Sequence, residues 1–215
     1  METDIININI ITQGGPALWL VAAIGLIALL VFLQRFFHLH RAQIKTTDFL
    51  RGIFNIANKG NIAEAVSQCE ETPGPVAQMV RVAVLEREYG PQRVREAMRE
   101  VGLAEIPRLE RNLNLLLTLG QLAPLAGLLG TVLGMMQVLA MVNAQAPQVY
   151  VGDLSGGLLT ALLTTAAGLV VAIPVYAGHN LLRSRVESIL LDMEQAFGEV
   201  MILLAPPAKA AGSER

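Results

Sequence analysis

The stretch NLNLLLTLGQLAPLAGLLGTVLGMMQVLAMVNA, residues 112–144, contains no Asp, Glu, Lys, Arg or His. At about 1.5 Å per residue, a helix of this length more than crosses a hydrocarbon core of roughly 30 Å, so the stretch reads as a membrane span. Gly120, Ala123, Gly127, Gly130 and Gly134 recur within it at intervals of three and four. That spacing gathers them on one side of the helix, as a smooth stripe on which another helix can close.

Two further runs share this character. Ala17 to Leu33 is apolar, with Trp19 near its start as an interfacial anchor. Leu154 to Leu182 is uncharged apart from His179 and holds Gly157, Thr160, Ala161, Thr164, Thr165, Gly168, Ala172 and Pro174. The whole chain agrees: of 215 residues, 53% are hydrophobic and 16% charged, and the mean hydropathy of +0.50 is too high for an ordinary soluble domain.

Charge placement sets the orientation. All sixteen Lys and Arg residues fall in two blocks, twelve between Arg35 and Arg111 and four from Arg183 onward. Basic residues follow the first run and none precede it, which predicts an outer N-terminus and a cytoplasmic C-terminus. A cleaved signal peptide would want a basic start, and Met1–Gly15 offers only Glu2 and Asp4.

The expected organisation is therefore all-α with three spans. It comprises a short outer N-terminus (1–15), a first span (16–37), a cytoplasmic helical subdomain (38–111), a second span (112–144) and a short outer loop (145–154). A third span (155–182), a cytoplasmic C-terminal helix (183–205) and a disordered tail (206–215) complete it.

The subdomain shows helical punctuation. Gly60 reads as a helix stop, and Asn61 with Glu64 as a capping box at the next start. Pro73-Gly74-Pro75 and Gly90-Pro91 break the pattern again. Val76, Met79, Val80, Ala83 and Val84 recur at helical spacing, as do Val186, Ile189, Leu190, Met193 and Phe197 beyond the third run. About 70 residues bury little core alone, so these helices should lean on the extended spans. From Gln92 the helical pattern runs past Pro107 into the uncharged stretch without an evident stop.

Enzyme chemistry is disfavoured. Gly127-Leu128-Leu129-Gly130-Thr131 lacks the lysine and preceding strand of a phosphate loop. His38 and His40 stand two apart, on different sides of a helix, with no ligand at metal spacing, so neither a metal nor a cofactor is expected. The mixed charges of Arg93, Arg95, Glu96, Arg99 and Glu100 describe a wetted helix face, and no nucleic-acid partner follows from them. Cys69 is the only cysteine, which rules out an internal disulfide.

Polar groups inside the spans are the better candidates. Thr131 lies within the small stripe, and Thr160, Thr164 and Thr165 cluster on the third span as a candidate ion pathway. Gly120, Gly127, Gly130, Gly134 and Gly168 serve close helix packing, and Pro124 and Pro174 each remove a helix hydrogen bond. Proton relays across membranes need an ionisable side chain, and no span has a carboxylate at its middle. An ion path here would need a titrating group from a partner.

Leu109-Glu110-Arg111 followed by Ala123-Pro124-Leu125-Ala126-Gly127-Leu128-Leu129-Gly130-Thr131-Val132-Leu133-Gly134-Met135 closely resembles the MotA/TolQ/ExbB proton-channel family. Ala161-Leu162-Leu163-Thr164-Thr165-Ala166-Ala167-Gly168-Leu169, Ala172-Ile173-Pro174 and Gly14-Gly15-Pro16 extend the resemblance, closest to the ExbB type with TolQ next. MotA itself, with four spans, fits less well. The resemblance implies a bacterial inner-membrane stator subunit that forms a homopentameric ring in the lipid bilayer around an ExbD/TolR-like single-span protein. That partner carries the membrane Asp, and proton flow drives a TonB- or TolA-like protein. Thr131 and Thr165 match the family threonines beside that Asp. Thr160 stands where many members have Glu, and Leu133 where many have Trp. Other readings are a TolQ-type role in cell-envelope maintenance and a purely structural membrane scaffold.

Overall fold

The computed structural model describes residues 15–42, 46–145 and 151–204, with side chains described through 15–39, 46–144 and 155–203. The expectations for residues 1–14, most of the 145–154 loop, the 206–215 tail and the His40 side chain lie outside the described residues.

The described chain is helical: α1 (Gly15–Ala42), α2 (Thr46–Asn58), α3 (Ile62–Glu71), α4 (Pro75–Leu85), α5 (Pro91–Glu110), α6 (Leu113–Gln145) and α7 (Val151–Leu204), with a 3-10 turn at Arg87–Tyr89. Three stretches are long and apolar enough to cross a membrane, within Gly15–Leu39, Pro91–Ala144 and Ser155–Leu203. The expected third span and C-terminal helix form one continuous helix, α7, of 54 residues. The chain divides into two compact units, one made of residues 1–35 and 112–181, the other of 36–111 and 182–215.

The first unit is a bundle of α1, α6 and the first part of α7. Its surface is apolar: Leu30, Leu125, Met136, Leu139, Leu162, Val170 and Ile173 are all more than half exposed. A soluble domain rarely tolerates so wide an apolar surface, whereas lipid welcomes it. Inside, small residues bring backbones together. A Cβ on Gly168 would stand 2.7 Å from the Ala123 carbonyl oxygen, and one on Gly127 would stand 2.8 Å from that of Thr164. Gly25 faces Val171 and Gly178 faces Phe32, which seats α1 on α7.

The second unit is built around α4. Seven of its eleven residues are buried, Val76, Met79, Val80, Ala83 and Val84 among them, because it packs on both α3 and α5. Leu50, Ile53 and Phe54 of α2, Val94 and Met98 of α5, and Val186, Ile189 and Met193 of α7 complete the core. Gly60, Gly74 and Gly90 hold positive φ, at 87°, 123° and 93°. L-residues with side chains avoid that region, so these glycines end one helix and launch the next. Pro75 and Pro91 then occupy first turns, where a missing N–H costs nothing.

Two expectations need correction. Asn61 caps no backbone N–H of α3; its amide Nδ2 instead donates to Glu64 Oε2 at 3.1 Å, so the side chains that should have formed a capping box satisfy each other. The helical pattern from Gln92 does not run unbroken into the uncharged stretch. α5 ends at Glu110, and Asn112 takes φ 66° before its carbonyl accepts from Leu116 N at 3.1 Å. Asn tolerates left-handed backbone where most residues do not. Asn112→Gly is therefore expected to leave thermal stability within about 0.5 kcal/mol of wild type, and Asn112→Val to lower it by about 1–2 kcal/mol, read from melts of the solubilised protein.

Cys69 is buried at 1% exposure between α3 and its neighbours. Loss of water pushes its thiol from 9.0 up to about 11, Arg81 opposing and Glu70 adding to the rise. Two units of pKa mean about a hundredfold less thiolate near neutral pH, so alkylation should be slow in the folded protein and fast in denaturant. The sign for stability follows from linkage. The folded state holds the proton more tightly, so this contribution is complete below pH 9 and is lost as pH rises towards 11.

Candidate functional site

The candidate site forms where the α6 stripe meets α7. Gly127, Gly130 and Gly134 face Thr164, Thr165 and Ala161 of the same chain, and Gly120 faces Val175 and Tyr176. The smooth face is thus spent within one chain. Such close approach places backbone carbonyls within reach of side chains on the opposite helix.

Gly127 is the centre of that contact. Its carbonyl oxygen lies 3.2 Å from Thr131 Oγ1 on its own helix and 3.2 Å from Thr165 Oγ1 on α7, and the two hydroxyls also contact each other. Each hydroxyl has one proton, so the pair satisfies two of these three contacts at a time and keeps acceptor capacity for a ligand. Both threonines are part-buried. A Cβ at position 127 would drive the helices apart and dissolve the cluster, which makes the glycine part of the site.

The four threonines do not gather in one place. Thr131 and Thr165 pair at Gly127, whereas Thr160 and Thr164 wall a separate cleft that neither of the first two lines. Thr164 is fully buried and donates to the Ala161 carbonyl at 2.8 Å, and Thr160 donates to that of Gly156 at 3.0 Å. Helical geometry accounts for the split: five residues from 160 to 165 turn a helix by roughly 140°. Pro124 and Pro174 lie inside unbroken helices, Pro124 beside Gly168 in the same contact.

Gln137 is the residue that sequence reasoning passed over. It lines the cleft of Thr160 and Thr164 from α6. The signal was present, because an amide three residues beyond Gly134 stands beside the packing stripe in an uncharged run.

These features define a class: a multi-pass helical membrane protein in which hydroxyls, a backbone carbonyl and the Gln137 amide line the contact of two apolar helices. The sequence model of the MotA/TolQ/ExbB proton channel family matches residues 71–195, more than half of the chain, and the chain belongs to that family. It is similar to a biopolymer transport protein ExbB homolog of Methanothermobacter thermautotrophicus, 26% identical over 176 residues, covering 81% of this chain and 62% of the relative. The biopolymer transport protein exbB1 of Vibrio cholerae is 38% identical over 92 residues, 43% of this chain and 40% of that protein. The Tol-Pal system protein TolQ of Haemophilus influenzae is 34% identical over 114 residues, 52% and 50%. The chain thus spans less than two thirds of the length of each of these relatives.

Proposed function

We propose that this chain is the channel-forming stator subunit of an ion-driven motor in the bacterial inner membrane, completed by a single-span partner of the ExbD/TolR type. The observation that carries this reading is the Thr131–Thr165–Gly127 oxygen cluster in a stretch without a carboxylate. Hydroxyls and carbonyls solvate a proton carrier and orient it, but they do not titrate near neutral pH. The partner's membrane Asp supplies the group that does. Five copies of α6 and α7 form a ring around that partner, and proton flow turns one component against the other to energise a TonB- or TolA-like protein.

In this reading the N-terminus is periplasmic, residues 16–37, 112–144 and 155–182 cross the bilayer, and 38–111 with 183–205 lie in the cytoplasm, following the placement of Lys and Arg. ExbB-named relatives favour a role in TonB-dependent transport, and the TolQ match keeps a cell-envelope role as the second reading. Proteoliposomes test the core of the proposal. The chain with its genomic ExbD- or TolR-like neighbour should pass protons, and the chain alone should not; flux through the chain alone would refute the division of labour. Complementation of exbB- and tolQ-deficient cells separates the two roles.

A further inference from the structure

We propose that Gln137 and Thr160 wall a water-filled cleft that opens at the outer end of α1 and brings water into the membrane between these two side chains, above the buried Thr164. The cleft measures about 410 Å³ and is lined by Gly15 and Pro16 of α1, Gly130 and Gln137 of α6, and Thr160 and Thr164 of α7. All of these residues belong to the first unit.

Gln137 decides what fills it. A glutamine amide presents two N–H donors and a carbonyl acceptor. Among the described residues the Gln137 side chain makes no hydrogen bond. Six residues past Thr131, it stands about 9 Å further along the helix axis, still within the uncharged stretch. An amide left without partners in hydrocarbon is costly, and an acyl chain or an apolar face of another subunit would leave it so. Water supplies donors and acceptors together, and the cleft has room for several molecules.

The depth of the cleft is set by its floor. A Cβ on Gly130 would stand 2.5 Å from Thr164 Oγ1, so the two helices are in contact there and no channel passes between them. Water stops at Gln137 and Thr160 on one flank of this seam, and the Thr131–Thr165 pair lies on the other, with six residues from 131 to 137 turning α6 by roughly a third of a circle. Each subunit then has its own wet outer flank, lateral to the oxygen cluster, as the outer approach for the ion. The direction of opening and the use by ions rest on the function proposed above; the water itself rests on Gln137.

Single cysteines test this in the assembled complex in spheroplast membranes. Cys69 is buried and its raised thiol keeps it silent, so Gln137→Cys and Thr160→Cys can be read against it with a membrane-impermeant maleimide added outside. Maleimides need thiolate and therefore water. Both positions should label, and Leu139→Cys, nearer the outer end of α6 and 68% exposed but off the cleft, should not. Equal labelling at 137 and 139, or labelling only from the cytoplasmic side, overturns the proposal. Drying the cleft with Gln137→Leu and Thr160→Val together should lower partner-dependent flux about tenfold with assembly intact. Unchanged flux in that variant beside an active wild type overturns the cleft's role as approach. Labelling at 137 and 160 beside a wild-type complex that passes no ions upholds the cleft and refutes only the ion-path reading.

Discussion

Gly168→Ala is expected to destabilise the membrane unit by about 1–3 kcal/mol, because the new methyl would meet the Ala123 carbonyl oxygen at 2.7 Å and backbone cannot step aside as a side-chain tip can. Two effects compete at such a position. Alanine favours a helix over glycine by about 1 kcal/mol, and the clash forces α6 and α7 apart. At Gly168 the clash wins, since Gly127 Cα at 3.1 Å and Pro124 Cα at 3.3 Å also block the added atom. Gly156 and Gly198 have open space around them, and there the propensity gain should win. Thermal melts of Gly168→Ala, Gly156→Ala and Gly198→Ala in detergent should therefore diverge in sign. Equal behaviour of all three would mean that α6 and α7 are not in backbone contact.

Thr165→Val should lower ion flux through the partnered complex by roughly ten- to a hundredfold, the effect of losing a hydrogen bond of about 1.5–3 kcal/mol to a charged group. Valine keeps the shape of threonine and removes the hydroxyl, so helix packing at Gly127 survives. Because Thr131 and Thr165 share one carbonyl acceptor and each other, removing both should cost little more than removing one. Strict additivity would indicate two independent sites.

Much of the fold was legible because punctuation and periodicity are local. Gly60, Gly74-Pro75 and Gly90-Pro91 mark helix limits through φ alone, and the buried face of α4 follows from spacing in a single helix. The three spans follow from charge-free length. The identity of the packing stripe was legible too, since Gly127, Gly130 and Gly134 offer a neighbour nothing but backbone. What covers that stripe was not: spacing fixes an angle around one helix and says nothing of which helix approaches, and it is α7 of the same chain that does. The break at Asn112 escaped for a different reason. Asparagine permits left-handed backbone without requiring it, so its presence is no stop signal by itself. The division of the four threonines was half legible. The five-residue step from Thr160 to Thr165 already separates them around the helix, but only the contact with Gly127 shows which side carries the oxygen cluster.

The division also bears on Thr160. It lines the cleft with Gln137 and lies apart from the Thr131–Thr165 pair, so the two places are built separately from uncharged polar groups.

One measurement tests this account most directly: proton flux through proteoliposomes containing this chain and its single-span partner, compared among wild type, Thr131→Ser and Thr131→Val. Serine keeps the hydroxyl that meets Thr165 and Gly127, and valine does not. Flux that survives in Thr131→Ser, collapses in Thr131→Val and vanishes without the partner is the predicted result. Equal flux in Thr131→Val and wild type would contradict it.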